Sequence, residues 1–276
     1  MKKSQICYAT WVWGTKTREQ AELAAKEVTE IGYKQFESVK AAMYAYDLNV
    51  EEYKAMLAKY DLKPTSFYFH IPAPDQLDTL FDNIDAEFKF VVDMGCTRVT
   101  LQGMSGRPEV MDEEARQLNL NAMIKFAEKA REYGLQTNVH PHVNTYFMFE
   151  DEIDYVMQNS PADLLYFAPD TAHIAAAGGD PVAIIKRYAE RVNFTHLKDY
   201  RLGDKICSDG WVDSGVPIMD CFHGLGLGTV DFPEIMKILD SVNYTGPLCI
   251  ELDRAPISNA DSAKKSYDYL CNLVED

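Results

Sequence analysis

The chain is poor in positive charge, has no long apolar run and no paired cysteines, and each absence removes a class of function. Lys and Arg total 27 against 43 Asp and Glu, a formal net charge of -16 over 276 residues. A surface of that sign repels both the phosphate backbone of nucleic acid and the anionic face of a membrane. No run of about 18 or more apolar residues occurs. The opening Met1-Lys2-Lys3-Ser4-Gln5 leads into an apolar stretch too short for a signal-peptide core with a cleavage site. The expectation is a soluble, cytoplasmic protein that binds neither nucleic acid nor membrane. The six cysteines stand singly at positions 7, 96, 207, 221, 249 and 271, several inside apolar runs. Buried free thiols fit this better than a disulfide framework, and no cysteine has a histidine beside it to make it a nucleophile. No GxGxxG follows the first apolar run, so the main sign of a dinucleotide-binding fold is missing too.

What is present is an alternation of short strand-like runs with longer segments of helical period, sustained from end to end. Strands are expected at Ile6–Trp11, Lys34–Val39, Lys63–His70, Arg98–Gln102, Gln136–His142, Leu164–Ala168, Val192–His196 and Pro247–Glu251. Helices are expected near 17–31, 50–60, 77–94, 113–133 and 150–158, with a sixth from Asp180-Pro181, a seventh from Asp231 and a last one over about 260–274. Tyr44, Tyr46 and Asp47 are read as loop, and a long Gly-rich excursion follows His196 to about Thr229. Eight strand-helix units without a linker, in a chain with 47% hydrophobic residues, make one closed α/β domain, a single (β/α)8 (TIM) barrel over 1–276, the economical architecture. An open doubly wound sheet is the alternative.

In such a barrel the site lies at the C-terminal ends of the strands. Polar residues fall there in register: Glu37, His70, Gln102, His140 and His142, then Asp170 and His173, His196 and Lys198, and Glu251. In an extended strand His140 and His142 share a face. None of the six histidines is expected in a helix. Singly, each residue has a structural explanation: a hydrogen-bonded core histidine, a helix cap, or a carboxylate paired with a lysine. Together they would be costly to bury unless a cation compensates their desolvation and repulsion. Imidazole nitrogens with carboxylate oxygens suit Mn, Co, Fe or Zn and do not suit a structural thiolate zinc site.

The runs His140-Pro141-His142-Val143-Asn144-Thr145, Asp170-Thr171-Ala172-His173, Thr195-His196-Leu197-Lys198-Asp199, Gly226-Leu227-Gly228-Thr229-Val230-Asp231-Phe232 and Cys249-Ile250-Glu251-Leu252-Asp253 resemble the sugar isomerase/epimerase barrels of the xylose isomerase-like superfamily, nearest to inosose dehydratase-like members. The motifs cover the chain from about residue 135 onward, and the element order covers all of it. The resemblance implies one divalent metal, Mn first among Mn, Co, Mg, Fe and Zn, held by Asp170, His196 and Glu251. His140 takes the strand-five position, where relatives carry a glutamate. Two departures follow. The two-glutamate proton relay of the isomerases and epimerases has lost one member, and Leu227 replaces an acidic or polar residue.

The implied activity is metal-dependent elimination of water or an alcohol from a keto-polyol or keto-sugar, such as an inosose or a 3-keto-glycoside. His142 is then the first choice for base. Glu251, His173 and Lys198 are candidates for acid or substrate orientation, and Glu37, His70, Gln102, His173 and Lys198 for substrate binding. The stretch from about 200 to 229, with Trp211 and Phe222, is expected to form a lid over the site. The alternatives are metal-dependent aldose-ketose isomerisation or 3-epimerisation, a barrel that binds a sugar or a partner protein without turnover, and a multi-zinc endonuclease, which the charge disfavours. Expected partners are a sugar or cyclitol, with a homo-oligomer or a small second subunit as further options.

Overall fold

The computed structural model describes residues 1–201 and 218–276; Cys207 and Trp211 lie outside the described residues. In chain order the elements are β1 (Ile6–Ala9), α1 (Arg18–Ile31), β2 (Gln35–Val39), α2 (Lys40–Ala45), α3 (Val50–Ala58), β3 (Lys63–His70), α4 (Ile84–Asp93), β4 (Arg98–Gln102), α5 (Glu113–Glu132), β5 (Gln136–His140), α6 (Glu150–Asn159) and β6 (Leu165–Phe167). There follow α7 (Thr171–Ala176), α8 (Pro181–Arg187), β7 (Thr195–Leu197), β8 (Asp199–Tyr200), β9 (Phe222–His223), α9 (Phe232–Ser241), β10 (Leu248–Ile250) and α10 (Asn259–Cys271).

Among the described residues, eight parallel strands run β6-β5-β4-β3-β2-β1-β10-β7, with a separate antiparallel pair β8-β9. Two bridges, Phe167 to Val192 and Asp170 to His196, join β6 to β7 and close the ring. Side-chain alternation divides β3 cleanly. Phe67 and Phe69 point outward, Phe69 packing on Phe88 of α4 and Phe126 of α5, while Ser66 bonds Thr100 across the interior and Tyr68 faces the rings of His140 and His196. The main core therefore lies between strands and helices. The floor of the barrel is a small apolar layer of Cys7, Ala9, Ala168, Phe194 and Cys249, with Trp11 packed on it. The polar residues sit above that floor.

The helices start where the side chains can cap them. Thr17, Asn49, Asp112, Asp180, Asp231 and Ser258 each accept a backbone N–H of the first turn, and Pro181 and Pro233 occupy first-turn positions.

Several expectations require correction. β1 ends at Ala9, and a 3-10 turn takes up Thr10–Trp13. The segment before Tyr46 is helical (α2) rather than loop. The helix expected over 77–94 is a 3-10 segment, Pro74–Phe81, followed by the shorter α4, with the break at Asn83, whose side chain makes no capping bond. β5 stops at His140 and not His142, because Pro141 has no N–H for the ladder and the His142 N–H goes to the Phe147 carbonyl. β7 begins at Thr195, with Val192 left as a bridge residue. His173 does lie in a helix: the Asp170 carboxylate accepts the N–H groups of Ala172 and His173 and starts the short α7.

The Gly226-Leu227-Gly228 run has a structural origin. The buried Asp199 carboxylate accepts four backbone N–H groups, from Tyr200 at 2.9 Å, Val230 at 3.1 Å, Gly226 at 3.0 Å and Gly228 at 2.8 Å. A Cβ on Gly228 would clash with Asp199 Oδ1 and the Tyr200 carbonyl, so the amides can close around the carboxylate only at glycine. Asp199→Ala would leave one buried and three part-buried donors without their acceptor and is expected to cost about 2 to 3 kcal/mol, toward the low end of roughly 1 to 3 kcal/mol per unsatisfied group. Urea unfolding of the variant checks this, and a loss within about 0.5 kcal/mol of wild type, the scale of an ordinary surface change, would contradict the clamp.

Candidate active site

The end of β5 supplies His140, the turn after β6 supplies Asp170, β7 supplies His196 and the residue after β10 supplies Glu251. One donor atom from each lies within 4.8 Å of the others, and all four residues are buried. The closing bridge between β6 and β7 pairs Asp170 with His196 directly. Each of the four carries a buried polar atom that finds no hydrogen-bond partner among the described residues: His140 Nδ1, Asp170 Oδ2, His196 Nδ1 and Glu251 Oε2. His196 Nδ1 and Glu251 Oε2 are 2.9 Å apart, yet a hydrogen on the ring nitrogen would not align with the oxygen. Four buried orphans converging on one spot are expensive, and a cation is what that donor set fits. Two nitrogens and two carboxylates match a borderline divalent ion.

The electrostatics of the four differ. Burial, and then the neighbouring His196, pushes the His140 pKa far below the usual imidazole range, leaving the neutral ring a metal requires. Burial disfavours charge on His196, but Glu37 and Glu251 outweigh it and hold its pKa well above that range. Burial also raises the Asp170 carboxyl to about 7, with Lys198 opposing the rise. Burial works against the Glu251 carboxylate as well, but Lys198 and His196 hold it well below the ordinary carboxylate range.

Lys198 is fully buried beside the four. Its Nζ lies 2.7 Å from Glu251 Oε1, 2.7 Å from Asp253 Oδ2, 3.1 Å from His173 Nε2 and 3.3 Å from Asp170 Oδ2. Desolvation alone would strip its proton, but Asp170, Asp253 and Glu251 keep it charged. The Phe222 ring closes the cage, 4.6 Å from the ammonium and 4.8 Å from the His173 ring. His142 leans on His173, ring centroids 3.9 Å apart, and its own centroid is 5.9 Å from that of His140. Although β5 has ended, the turn keeps His142 on the site. Its Nδ1 lies 2.7 Å from the Val143 carbonyl, which can only accept, so Nδ1 carries the hydrogen and Nε2 is left with a lone pair.

The residues expected to bind substrate divide. Gln102 accepts the Tyr68 hydroxyl at 2.8 Å, beside the cluster. His70 ends β3 exposed to solvent, outside the group of four. Glu37 is fully buried against His196, with Oε2 2.5 Å from Nε2, and is not at the mouth. Three residues carry no role in the sequence reading. Asp253 holds Lys198, and alternation from Glu251 was its only signal. Trp11 and Tyr68, ring centroids 5.3 Å apart, wall the His196 side, and both lie in runs that read as ordinary apolar strand.

A family model described as "Xylose isomerase-like TIM barrel" matches residues 25–273. Among curated proteins, the inosose dehydratase of Clostridium beijerinckii is 32% identical over 163 residues, covering 58% of this chain and 55% of that protein. The chain thus spans about half the length of the curated relatives it matches. Among solved structures, the IOLI protein with a binding zinc atom superposes with a TM-score of 0.77 at 12% identity, covering 98% of both chains. A xylose isomerase-like TIM barrel protein from Mycobacterium smegmatis in complex with magnesium gives 0.77 at 16% identity, covering 99% of this chain and 98% of that one. The barrel closed through Asp170 and His196, and the match over nearly its whole length, lead to one conclusion: the chain belongs to the xylose isomerase-like TIM barrel family.

Proposed function

We propose that this protein is a divalent-metal-dependent lyase acting on a keto-polyol or keto-sugar, an inosose or a 3-keto-glycoside, from which it eliminates water or an alcohol. The observation that carries the reading is the convergence of four buried, unsatisfied donors beside a half-buried histidine with a free ring nitrogen. The likeness to an inosose dehydratase supports the substrate class. His140, Asp170, His196 and Glu251 would hold the ion, and manganese is the first choice. When bound, the ion supplies Lewis-acid polarisation of the substrate's ketone, which makes the adjacent C–H acidic.

The remaining chemistry falls to side chains. His142 Nε2 takes the proton from the carbon next to the ketone, and its Nδ1–H stays with the Val143 carbonyl, which fixes the ring. The electron pair of the broken C–H bond forms the C=C bond, and the C–O bond to the β substituent breaks. The departing oxygen takes a proton from the Lys198 ammonium, which His173, Glu251 and Asp253 hold in place, and leaves as water or alcohol. A lysine held strongly protonated still suffices as the acid, since the water or alcohol that leaves is a weaker acid still. The apolar faces of Trp11, Tyr68 and Phe222 exclude water from the reacting carbons. A 3-epimerase or isomerase would need a second base facing the first across the substrate; the strand-five carboxylate of that chemistry is here His140.

The discriminating assay offers inososes, ketohexoses and 3-keto-glycosides at defined Mn, Co and Mg. Elimination products are expected; epimers or isomers alone would reject the lyase reading. Purified protein is expected to take up about one divalent ion per chain with donor distances of roughly 2.0–2.3 Å. Asp170→Ala and Glu251→Ala should lose both metal and turnover while circular dichroism stays native. Activity that persists after verified metal removal would contradict the Lewis-acid role.

A second prediction separates the two histidines of the β5 turn. His140→Ala is expected to weaken metal binding. His142→Ala should keep metal and substrate affinity but lower kcat about 100-fold or more, the scale for losing a positioned base. Metal loss in His142→Ala but not in His140→Ala would reverse the two assignments.

A further inference from the structure

We propose that Glu37 is the positioning residue of the metal centre: it takes the Nε2–H of His196 and thereby turns the Nδ1 lone pair toward the ion. The inference rests on the metal site proposed above. Glu37 lies on β2, across the barrel from the turn that carries Asp170, and is completely buried. Its Oε2 is 2.5 Å from His196 Nε2, and the thiol of Cys249 at 3.9 Å is a weak second neighbour. Glu37 Oε1 has no hydrogen-bond partner among the described residues. A carboxylate so isolated has one strong interaction, and that interaction decides which nitrogen of His196 is free.

The geometry on the other side of the ring fits. His196 Nδ1 faces Glu251 Oε2 at 2.9 Å without hydrogen-bond alignment, so a shared ion can satisfy both atoms. The ring is also pinned edge-on by Trp11 and Phe194, which leaves the Glu37 bond to set its tautomer and its electron density. A carboxylate behind a metal-bound imidazole makes the imidazole a stronger donor, and losing it typically costs about 10–100-fold in metal affinity. Glu37 touches neither substrate nor reacting atoms in this arrangement.

The test is competitive titration of the full chain with Co(II) against a chromophoric chelator, together with the Co(II) ligand-field spectrum and KM measured at saturating metal. Glu37→Ala is expected to weaken Co(II) binding about 10–100-fold and to change the ligand-field bands. Glu37→Gln, which keeps the volume and guards against a failure to fold, should weaken binding less, by about 10-fold. KM at saturating metal should stay within about twofold of wild type in both, because Glu37 does not bind substrate. Wild-type Co(II) affinity and spectrum in both variants would overturn the role of Glu37 alone. So would unchanged affinity with a raised KM, which would make it a substrate-binding group. Failure of the wild-type chain to bind Co(II) would overturn the metal site and this inference together.

Discussion

Negative charge buried above an apolar floor must be matched by positive charge in the same place, and this constraint organises the top of the barrel. Glu37, Asp170 and Glu251 are buried, and Asp253 is mostly so. Among the described residues, the permanent cation among them is Lys198, which is within 3.3 Å of Asp170, Glu251 and Asp253. His196, between Glu37 and Glu251, has its pKa raised for the same reason, so an ion binding at Nδ1 would displace a proton. These partners still leave unsatisfied one atom on each of the four clustered residues. The proposed divalent ion would answer that remainder, while Lys198 serves Glu251 Oε1 and Asp253 Oδ2.

The scaffold holds this arrangement by spending its tightest contacts around it. Ring closure between β6 and β7 is made by short bridges, one of them between two residues of the cluster, so the ring closes through the site itself. The loop after β5 is fixed by Arg107, which grips Glu152 with both terminal nitrogens at 2.9 and 2.6 Å and also bonds the Thr145 carbonyl. Glu152 in turn accepts the N–H groups of Met148 and Phe149. Bidentate pairing of this kind fixes orientation as well as distance. The Asp199 clamp does the same for the return of the excursion after β7, whose described part places Phe222 on Lys198 and His173.

Much of this is legible in the sequence because it depends on period and on strand ends. Eight apolar runs with helical segments between them specify the barrel, and residues at strand ends gather wherever eight strands converge. Thus His140, Asp170, His196 and Glu251, far apart in the chain, meet in space. What is not legible depends on contacts across the barrel. His173 reads as loop because its helix is only six residues long and is started by a cap that also belongs to the site. Glu37 and His70 have the same standing in the sequence, each polar at a strand end. The longer β3 carries His70 out to solvent, whereas Glu37 sits mid-strand, in register with Ser66, beneath the rim. Tyr68 and Trp11 are hidden in the opposite way, since aromatic residues in apolar runs read as core.

The two histidines nearest the chemistry show why residue type alone underdetermines a site. His142 gives its Nδ1–H to the Val143 carbonyl beside it, which leaves the Nε2 lone pair free. His196 meets Glu37 at Nε2, which leaves Nδ1 for the cluster. The same side chain thus presents opposite nitrogens, in the proposed mechanism one as proton acceptor and one as ligand. The choice in each case belongs to a neighbour that touches no substrate. For His142 that neighbour is adjacent in sequence and follows from the local turn; for His196 it is 159 residues away and exists only once the barrel has closed. On the proposed roles, local structure sets the base whereas the ligand depends on the whole fold, so damage far from the mouth that loosens the β1-β2 or β7-β10 pairing would reach the proposed metal site through Glu37 before it reached His142.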